Sequence, residues 1–191
     1  MSGRLERDYF ERLYSESGDP WSFETSEYER KKYERTLAVL GGRRFNRALE
    51  AGASIGVFTG MLADRCDELL AVDVSEQAVA AARERLSGWG HVRVERRTLP
   101  EEMPEGPFDL IVASEVLYYF PREEMLGVLY AFERELAPGG TLIAVHWRRE
   151  TKTYPLQGDE VHGLLVEHTR LERKETIIEA DYRLDLFEGN P

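Results

Sequence analysis

The chain has few of the features that mark an unusual class of protein. It contains one cysteine, Cys66, so it has no disulfide framework and suits a reducing compartment. Lys and Arg total 25 against 36 Asp and Glu, and the net charge of −11 repels nucleic acid and anionic membranes. No run approaches the roughly 18 apolar residues that span a bilayer, and no apolar signal-peptide stretch lies near the charged amino terminus. We therefore expect a cytoplasmic protein with neither a nucleic-acid nor a membrane partner.

The composition that remains is typical of a globular protein. Apolar residues make up 42% of the chain and charged residues 32%. A chain of this size buries roughly 70% of its unfolded surface, which is enough for a core without cross-links. Neither an internal repeat nor a linker rich in Gly, Ser or Pro divides it. We expect one domain over residues 1–191, with an N-terminal helical lid (1–42) and an α/β core (43–191).

Helical patterns come first and then alternate with strands. Apolar residues at helical spacing predict a short helix from Leu5 to Leu13, and Ser26-Glu27-Tyr28-Glu29 matches a capping box at the start of a second helix. Strands are predicted at 45–50, 69–74, 92–96, 108–113 and 141–147, and helices at 55–66, 75–86, 123–136 and near 161–165. Residues 171–179 and 182–187 predict an antiparallel hairpin. The alternation indicates a parallel sheet with right-handed crossovers.

The segment Glu50-Ala51-Gly52-Ala53-Ser54-Ile55-Gly56 joins the first strand to its helix and is the most informative one. Gly52 and Gly56 leave room for a ligand beyond the carboxyl end of the strand. The dinucleotide fingerprint Gly-x-Gly-x-x-Gly does not fit, because an acid leads and Ser54 takes the middle place. Asp73 ends the second strand, where a carboxylate accepts hydrogen bonds from both hydroxyls of a ribose. The pattern predicts a ligand that contains a nucleoside without a pyrophosphate.

These residues resemble the first motif of class I S-adenosylmethionine-dependent methyltransferases, Glu/Asp-x-Gly-x-Gly-x-Gly, with its second-strand acid for the ribose. Further segments resemble the nodulation protein S family: Asp19-Pro20-Trp21, Tyr28-Glu29-x-x-Lys32-Tyr33, Ser114-Glu115-Val116-Leu117-Tyr118-Tyr119, His146-Trp147-Arg148 and Gly158-Asp159-x-Val161-His162. Ala51-Gly52-Ala53 departs from the Pro-Gly-Cys that relatives often carry.

The resemblance implies a Rossmann-like methyltransferase fold, which is an α/β, doubly wound, mostly parallel seven-stranded sheet with an antiparallel C-terminal hairpin. It also implies S-adenosyl-L-methionine as cofactor and a small-molecule acceptor, with the amine of a sugar or related metabolite favoured. O-methylation of a small hydroxyl compound and a non-catalytic cofactor-binding protein stay open as alternatives. The acceptor, the methylated atom and the oligomeric state do not follow from the sequence.

Cofactor contacts are predicted at the strand ends and in the leading helices. They are Trp21, Lys32, Glu50, Gly52, Ser54, Gly56, Asp73, Val74, Thr98, Leu99, Ser114 and Glu115. Lys32 suits the carboxylate of the cofactor, against the alternative of a solvated helix residue. Trp21, Tyr28 and Tyr33 predict a lid, although each of them alternatively packs the helices on the sheet.

Acceptor contacts are predicted after the fourth and fifth strands, at Tyr118, Tyr119, His146, Asp159 and His162. The predicted catalytic residues are His146, Glu115 and Tyr118. A His near its ordinary pKa of about 6.5 suits a general base, and Asp159 or Glu115 suits the attraction of an ammonium group. Alternatively, His146 satisfies a strand edge and Asp159 caps a helix. No metal is expected, because His146, Asp159 and His162 include no close-spaced ligand pair. Cys66 is expected in the core, on the apolar side of its helix.

Overall fold

The computed structural model describes residues 3–191. Its elements are α1 (Arg7–Glu16), α2 (Glu27–Val39), β1 (Phe45–Ala51), α3 (Val57–Ala63), β2 (Cys66–Asp73), α4 (Glu76–Arg85), β3 (Val92–Arg96), β4 (Phe108–Ser114), a 3₁₀ turn (Leu117–Tyr119), α5 (Arg122–Glu135), β5 (Leu136–Trp147), α6 (Gly158–His168), β6 (Glu172–Ile178) and β7 (Tyr182–Glu188). The strand order of the seven-stranded sheet is β3-β2-β1-β4-β5-β7-β6, which confirms the predicted fold class. Within residues 3–191, no helix is long and apolar enough to cross a membrane.

The described chain divides into two compact units, and the first covers residues 6–97. Here β2 pairs in parallel with β1 on one side and with β3 on the other. Ser26 Oγ accepts from the backbone N–H of Glu29 at 3.2 Å, and Ser75 Oγ accepts from that of Ala78 at 3.2 Å. These bonds satisfy free donors in the first helical turns and confirm both predicted helix starts.

Cys66 is fully buried, but the prediction that it lies on a helix is wrong. Helix α3 ends at Ala63, and Cys66 begins β2 opposite Phe45. The backbone N–H of Phe45 donates to the carbonyl of Arg65 at 2.8 Å, so parallel pairing starts directly after the turn that ends the helix. Pairing with a distant strand therefore outweighs the local helical pattern at this point.

The second unit contains residues 98–191 together with residues 3–5. Strand β5 pairs in parallel with β4 and antiparallel with β7, and β6 completes the predicted hairpin with β7. Strand β5 begins five residues before the predicted Thr141, because Leu136 already pairs with Phe108. The two units meet after Arg97 in the sequence. The expectation of one domain with a helical lid over residues 1–42 therefore stays a prediction.

Candidate active site

The loop between β1 and α3 has three residues in the left-handed region. Gly52, Ser54 and Gly56 have φ values of +77°, +51° and +78°. A Cβ at Gly56 would lie 3.0 Å from the side chains of Ala82 and Leu86 in α4. Gly56 therefore serves the close packing of α4 as well as the turn, and its left-handed conformation explains why α3 begins at Val57, two residues later than the predicted Ile55.

Asp73 is held at the end of β2 by backbone groups from two loops. Its Oδ2 accepts from the N–H of Ser54 at 2.8 Å, and its Oδ1 accepts from the N–H of Ser75 at 2.9 Å. Burial raises the pKa of this carboxyl, while the N–H groups of Ser75, Ser54 and Val74 act to lower it. Each oxygen keeps acceptor capacity, because a carboxylate oxygen accepts more than one hydrogen bond. The carboxylate is thus oriented and still able to accept from two ligand hydroxyls.

Helix α1 is joined to both of these loops. The hydroxyls of Tyr14 and Ser54 share a hydrogen bond of 2.5 Å. The carboxylate of Glu11 accepts from the Ser75 hydroxyl at 3.1 Å and from the N–H of Glu76 at 2.7 Å. The sequence analysis missed Glu11 and Tyr14. The available signal was the position of Tyr14, four residues after Phe10 on the buried face of the helix.

Glu50 is a buried acid with an unsatisfied oxygen. It is 2% exposed, and among residues 3–191 its Oε2 has no hydrogen-bond partner. Burial raises its pKa to about 8; the hydroxyl of Thr59 acts against this shift and the nearby Asp73 adds to it. An unpaired buried acceptor is costly, so this position favours a ligand that brings a donor or a positive charge.

The predicted lid residues lie in an aromatic cluster of the first unit. Trp21 stacks on Phe23 with a centroid distance of 5.6 Å and meets the edge of Tyr14 at 5.7 Å. Tyr33 stacks on Phe58 of α3 at 5.0 Å, so it packs this helix in the core.

Lys32 is buried and not solvated. Its Nζ lies 2.8 Å from a carboxylate oxygen of Glu29 and 5.5 Å from the ring centre of Tyr28. Its contact with a cofactor carboxylate stays a prediction, and the structure shows Glu29 as its partner.

In the second unit, the turn after β4 is attached to the end of β5. Glu115 has φ +54°, and its N–H donates to the carbonyl of Val145 at 2.8 Å. Its Oε2 accepts from the Tyr118 hydroxyl at 2.5 Å and from the N–H of Trp147 at 3.0 Å. Burial and the nearby Glu115 raise the pKa of Tyr118 well above its usual value. Tyr118 is therefore a neutral donor to the Glu115 carboxylate.

Two further tyrosines pack around the phenol of this carboxylate–phenol pair. Tyr118 stacks on Tyr154 at 4.7 Å, and Tyr119 meets the edge of each at 4.7 and 4.8 Å. The sequence analysis missed Tyr154, which lies in the loop before α6. Its only signal was an aromatic residue in a polar loop near the predicted site.

His146 and His162 are brought together in the core of the second unit. His146 is fully buried, and its Nε2 accepts from the N–H of Leu117 at 3.2 Å. Its Nδ1 lies 3.2 Å from Nε2 of His162, whose Nδ1 lies 2.6 Å from a carboxylate oxygen of Asp185. The lone pair that a base needs already accepts a hydrogen bond from a backbone N–H. The geometry therefore does not support the predicted role of His146 as a general base. Asp185, on β7, had no sequence signal.

Asp159 is paired with an arginine of the preceding loop. Arg148 donates to both of its carboxylate oxygens at 2.9–3.1 Å, and this pairing lowers the pKa of Asp159. Gln157, and not Asp159, caps α6. Over residues 3–191, no group of three or more Cys, His, Asp or Glu side chains is arranged to hold a metal.

The other predicted cofactor residues are placed as follows. The backbone N–H of Thr98 donates to a carboxylate oxygen of Glu102 at 2.8 Å. Leu99 is buried, and its carbonyl accepts from Arg4 at 2.7 Å. Val74 and Ser114 are half-buried, directly after β2 and at the end of β4. The cofactor contacts of these residues stay predictions.

Comparison with known proteins identifies the family. The model of the family described as Nodulation protein S (NodS) matches residues 6–153. Proteins named nodulation protein S from Bradyrhizobium diazoefficiens and Rhizobium tropici are 38% and 33% identical over 129 and 147 residues. These alignments cover 65% and 75% of this chain but 61% and 62% of those proteins. The chain thus spans about three fifths of the length of these relatives.

A solved structure extends the similarity over nearly the whole chain. The N-methyltransferase NodS from Bradyrhizobium japonicum WM9, in complex with S-adenosyl-L-homocysteine, is 26% identical and superposes with a TM-score of 0.86. The match covers 97% of this chain and 98% of that one. Because the family model matches well over half of the residues, this chain belongs to the nodulation protein S family.

Proposed function

We propose that this protein transfers a methyl group from S-adenosyl-L-methionine to the amine of a small-molecule acceptor, a sugar or related metabolite. The observation that carries the proposal is the buried Glu50 oxygen without a partner, beside the oriented carboxylate of Asp73. Together they suit a ligand with positive charge and adjacent hydroxyls. Membership of the nodulation protein S family supports the same ligand.

The residues of the first unit fit the cofactor. Asp73 would accept from the ribose hydroxyls, and the turn at Gly52 and Ser54 would let the ligand approach the backbone. Glu50 would face the cationic part of the molecule, which would offset the cost of its buried charge. Trp21 would cover the ligand, and Lys32 would contact its carboxylate. Val74 would complete the contacts from this unit, and cofactor contacts at Thr98, Leu99, Ser114 and Glu115 of the second unit stay predictions.

When bound, S-adenosyl-L-methionine supplies a methyl group on a positively charged sulfur, which is already a good leaving group. The protein's task is then to orient an amine lone pair in line with the methyl and to exclude water. Glu115 would attract the ammonium form of the acceptor, with the Tyr118 hydroxyl donating to the same carboxylate. Tyr118, Tyr119 and Tyr154 would form an aromatic wall that favours a cation.

The state of His146 favours an amine over a hydroxyl as acceptor. A hydroxyl group must lose its proton on transfer, and this loss requires a positioned base. The lone pair of His146 Nε2 is occupied by Leu117, whereas an amine that arrives neutral needs less help. O-methylation is therefore the weaker alternative.

A cytoplasmic location completes the proposal, supported by the free, buried thiol of Cys66.

The test has two stages. Calorimetry with S-adenosylhomocysteine should show binding, and ligand at about 100 times its Kd should add about 2.7 kcal/mol of apparent stability. Protein with S-adenosyl-L-methionine is then given a panel of amino sugars, phenols, small acids and nucleosides, and products are read by mass spectrometry. We expect a mass gain of one methyl group on amino-sugar amines. Methylated phenols alone would favour O-methylation, binding without turnover would favour a non-catalytic protein, and no binding would overturn the proposal.

A further inference from the structure

A chain of hydrogen bonds runs through the core of the second unit. It starts at the backbone N–H of Leu117 in the 3₁₀ turn and passes through His146 of β5 and His162 of α6 to Asp185 of β7. All three side chains are fully buried. We call these three residues the histidine chain. Because it is buried and joined by three consecutive hydrogen bonds, the histidine chain is a defined structure and not an incidental contact.

One pattern of protons satisfies the histidine chain. A backbone N–H is only a donor, so His146 Nε2 must accept and carries no proton. A neutral ring then has its proton on Nδ1, which donates to Nε2 of His162. The same step repeats in His162, whose Nδ1–H donates to Asp185 at 2.6 Å. Both histidines are thus neutral and protonated on Nδ1.

Asp185 anchors the end of the chain. Its Oδ1 accepts from the Thr176 hydroxyl at 2.5 Å, and its Oδ2 accepts from Arg183 Nε at 2.9 Å. Burial acts to raise its pKa, but the bonds from His162 and Thr176 hold that pKa below the usual value. An ionised carboxylate has no proton to donate, so it can only accept from His162. The direction of the whole chain follows from this end as well.

We propose that His146 is a positioning residue whose Nε2 holds the turn carrying Tyr118, and that His162 and Asp185 maintain the tautomer which this task requires. The backbone of Leu117 precedes Tyr118, whose hydroxyl donates to Glu115. If the proton of His146 moved to Nε2, two donors would face each other at Leu117. The turn, and with it the Tyr118–Glu115 pair, would lose its anchor.

The charged surroundings favour one protonation state near neutral pH. His162 faces Asp185 and Arg183 from β7 and Asp159 from its own helix α6, and Thr176 of β6 donates to Asp185. Burial lowers the pKa of His162, although hydrogen bonding to Asp185 acts to raise it. Arg173 of β6 lies 4.0 Å from Asp185, and Tyr118 packs edge-on against His146 at 5.2 Å.

The tautomers are testable without any activity. The chain has four histidines, so a two-bond ¹H–¹⁵N spectrum is readily assigned with single His→Gln variants, and His91 and His168 serve as references outside the histidine chain. We expect protonated Nδ1 and unprotonated Nε2 in both His146 and His162, unchanged between about pH 6 and 8. A proton on Nε2 of His146, or a doubly protonated ring at neutral pH, would overturn the proposal.

The effect on turnover rests on the proposed function and is tested with matched pairs. In His146→Gln the amide oxygen can replace Nε2 as acceptor for Leu117, whereas His146→Leu offers no acceptor. His162→Gln can still accept from His146 and donate to Asp185, whereas His162→Leu can do neither. A positioning role predicts that kcat falls about 100-fold in each Leu variant and about 10-fold or less in each Gln variant. Equal losses in His146→Gln and His146→Leu would indicate a base and overturn the positioning role.

Affinity for S-adenosylhomocysteine separates the possible failures. If the Leu variants bind it as the wild type does, they are folded, and their loss of kcat reports on the turn. If a Leu variant is unfolded, the Gln variant and the nitrogen spectrum still decide between a positioning residue and a base. If no acceptor is methylated by the wild type, the proposed function fails, while the spectrum still tests the histidine chain.

Discussion

The two units hold their polar groups in different ways. In residues 6–97, the carboxylate of Asp73 is oriented by backbone N–H groups of Ser54 and Ser75, which belong to the loops after β1 and β2. In residues 98–191, His146 accepts from the N–H of Leu117, and its tautomer depends on the side chains of His162 in α6 and Asp185 in β7. The backbone donors of the first unit belong to loops that short motifs mark in the sequence, whereas the side-chain partners of the second unit are single residues of separate elements. Short motifs therefore reveal the first arrangement and not the second.

The largest expected effect is that of Gly158→Ala, which breaks the second unit where α6 meets β5. A Cβ at this position would lie 2.0 Å from the carbonyl oxygen of Trp147. Because backbone must move, we expect a loss of about 3 kcal/mol and a Tm lower by roughly 6–12 °C in thermal unfolding. Gly163→Ala is the control in the same helix, since a Cβ there has nothing within 4 Å. Equal Tm values for the two variants would contradict the close approach.

Glu50→Gln tests the buried carboxyl of the first unit through the pH dependence of stability. A carboxyl whose pKa rises from 4.5 to about 8 on folding keeps its proton in the native state while the unfolded chain releases it. The free energy of unfolding of the ligand-free wild type therefore falls as pH rises between these two pKa values. The Gln variant has no proton to release at this position, so its stability does not fall for this reason. We expect the variant's advantage in unfolding free energy to grow to the order of 3 kcal/mol by pH 8.

Thermal unfolding from about pH 5 to 9 measures this difference. Glu68→Gln is the matched control in the neighbouring strand, because Glu68 is 64% exposed. A constant gap between Glu50→Gln and the wild type over this range would show that Glu50 is already ionised in the free protein.

Asp73→Asn tests the backbone-held carboxylate directly. Each oxygen accepts from a backbone N–H, so an NH₂ group in place of either oxygen would face a donor. We expect about 2 kcal/mol weaker binding of S-adenosylhomocysteine, or roughly a 30-fold higher Kd by calorimetry. Asp67→Asn, which removes an exposed ion pair with Arg44, should leave the Kd unchanged. An unchanged Kd for Asp73→Asn would move the ribose away from this carboxylate.

The smallest expected effect is that of Tyr14→Phe. It removes the hydrogen bond from α1 to Ser54 and keeps the ring against Trp21. We expect the Kd for S-adenosylhomocysteine to rise about 5-fold, equivalent to about 1 kcal/mol. Tyr130→Phe, at a tyrosine that is 48% exposed, is the control. A Kd equal to that of the control would show that α1 does not support the loop that holds Asp73.

The predictions from sequence succeeded where a short segment contains its own physical cause. Each of these features involves neighbours within a few residues: the helix caps at Ser26 and Ser75, the turn at Gly52, and the connection between β6 and β7. Cys66 shows the limit, because its strand is chosen by pairing with Phe45 and not by the preceding helical pattern. His146 shows the same limit at the level of the site.

The family was indicated by the resemblance of short motifs to those of known methyltransferases. The order of strands and helices, and the positions of Glu50 and Asp73 at the ends of β1 and β2, follow from periodicity and motif spacing along the chain. Only the tertiary structure decided that Lys32 is buried beside Glu29, that Asp159 is paired with Arg148, and that the nitrogens of His146 are occupied. The reason is that a side chain's protonation and accessibility depend on its burial and on the partners that the fold brings to it, and neither follows from residue spacing alone.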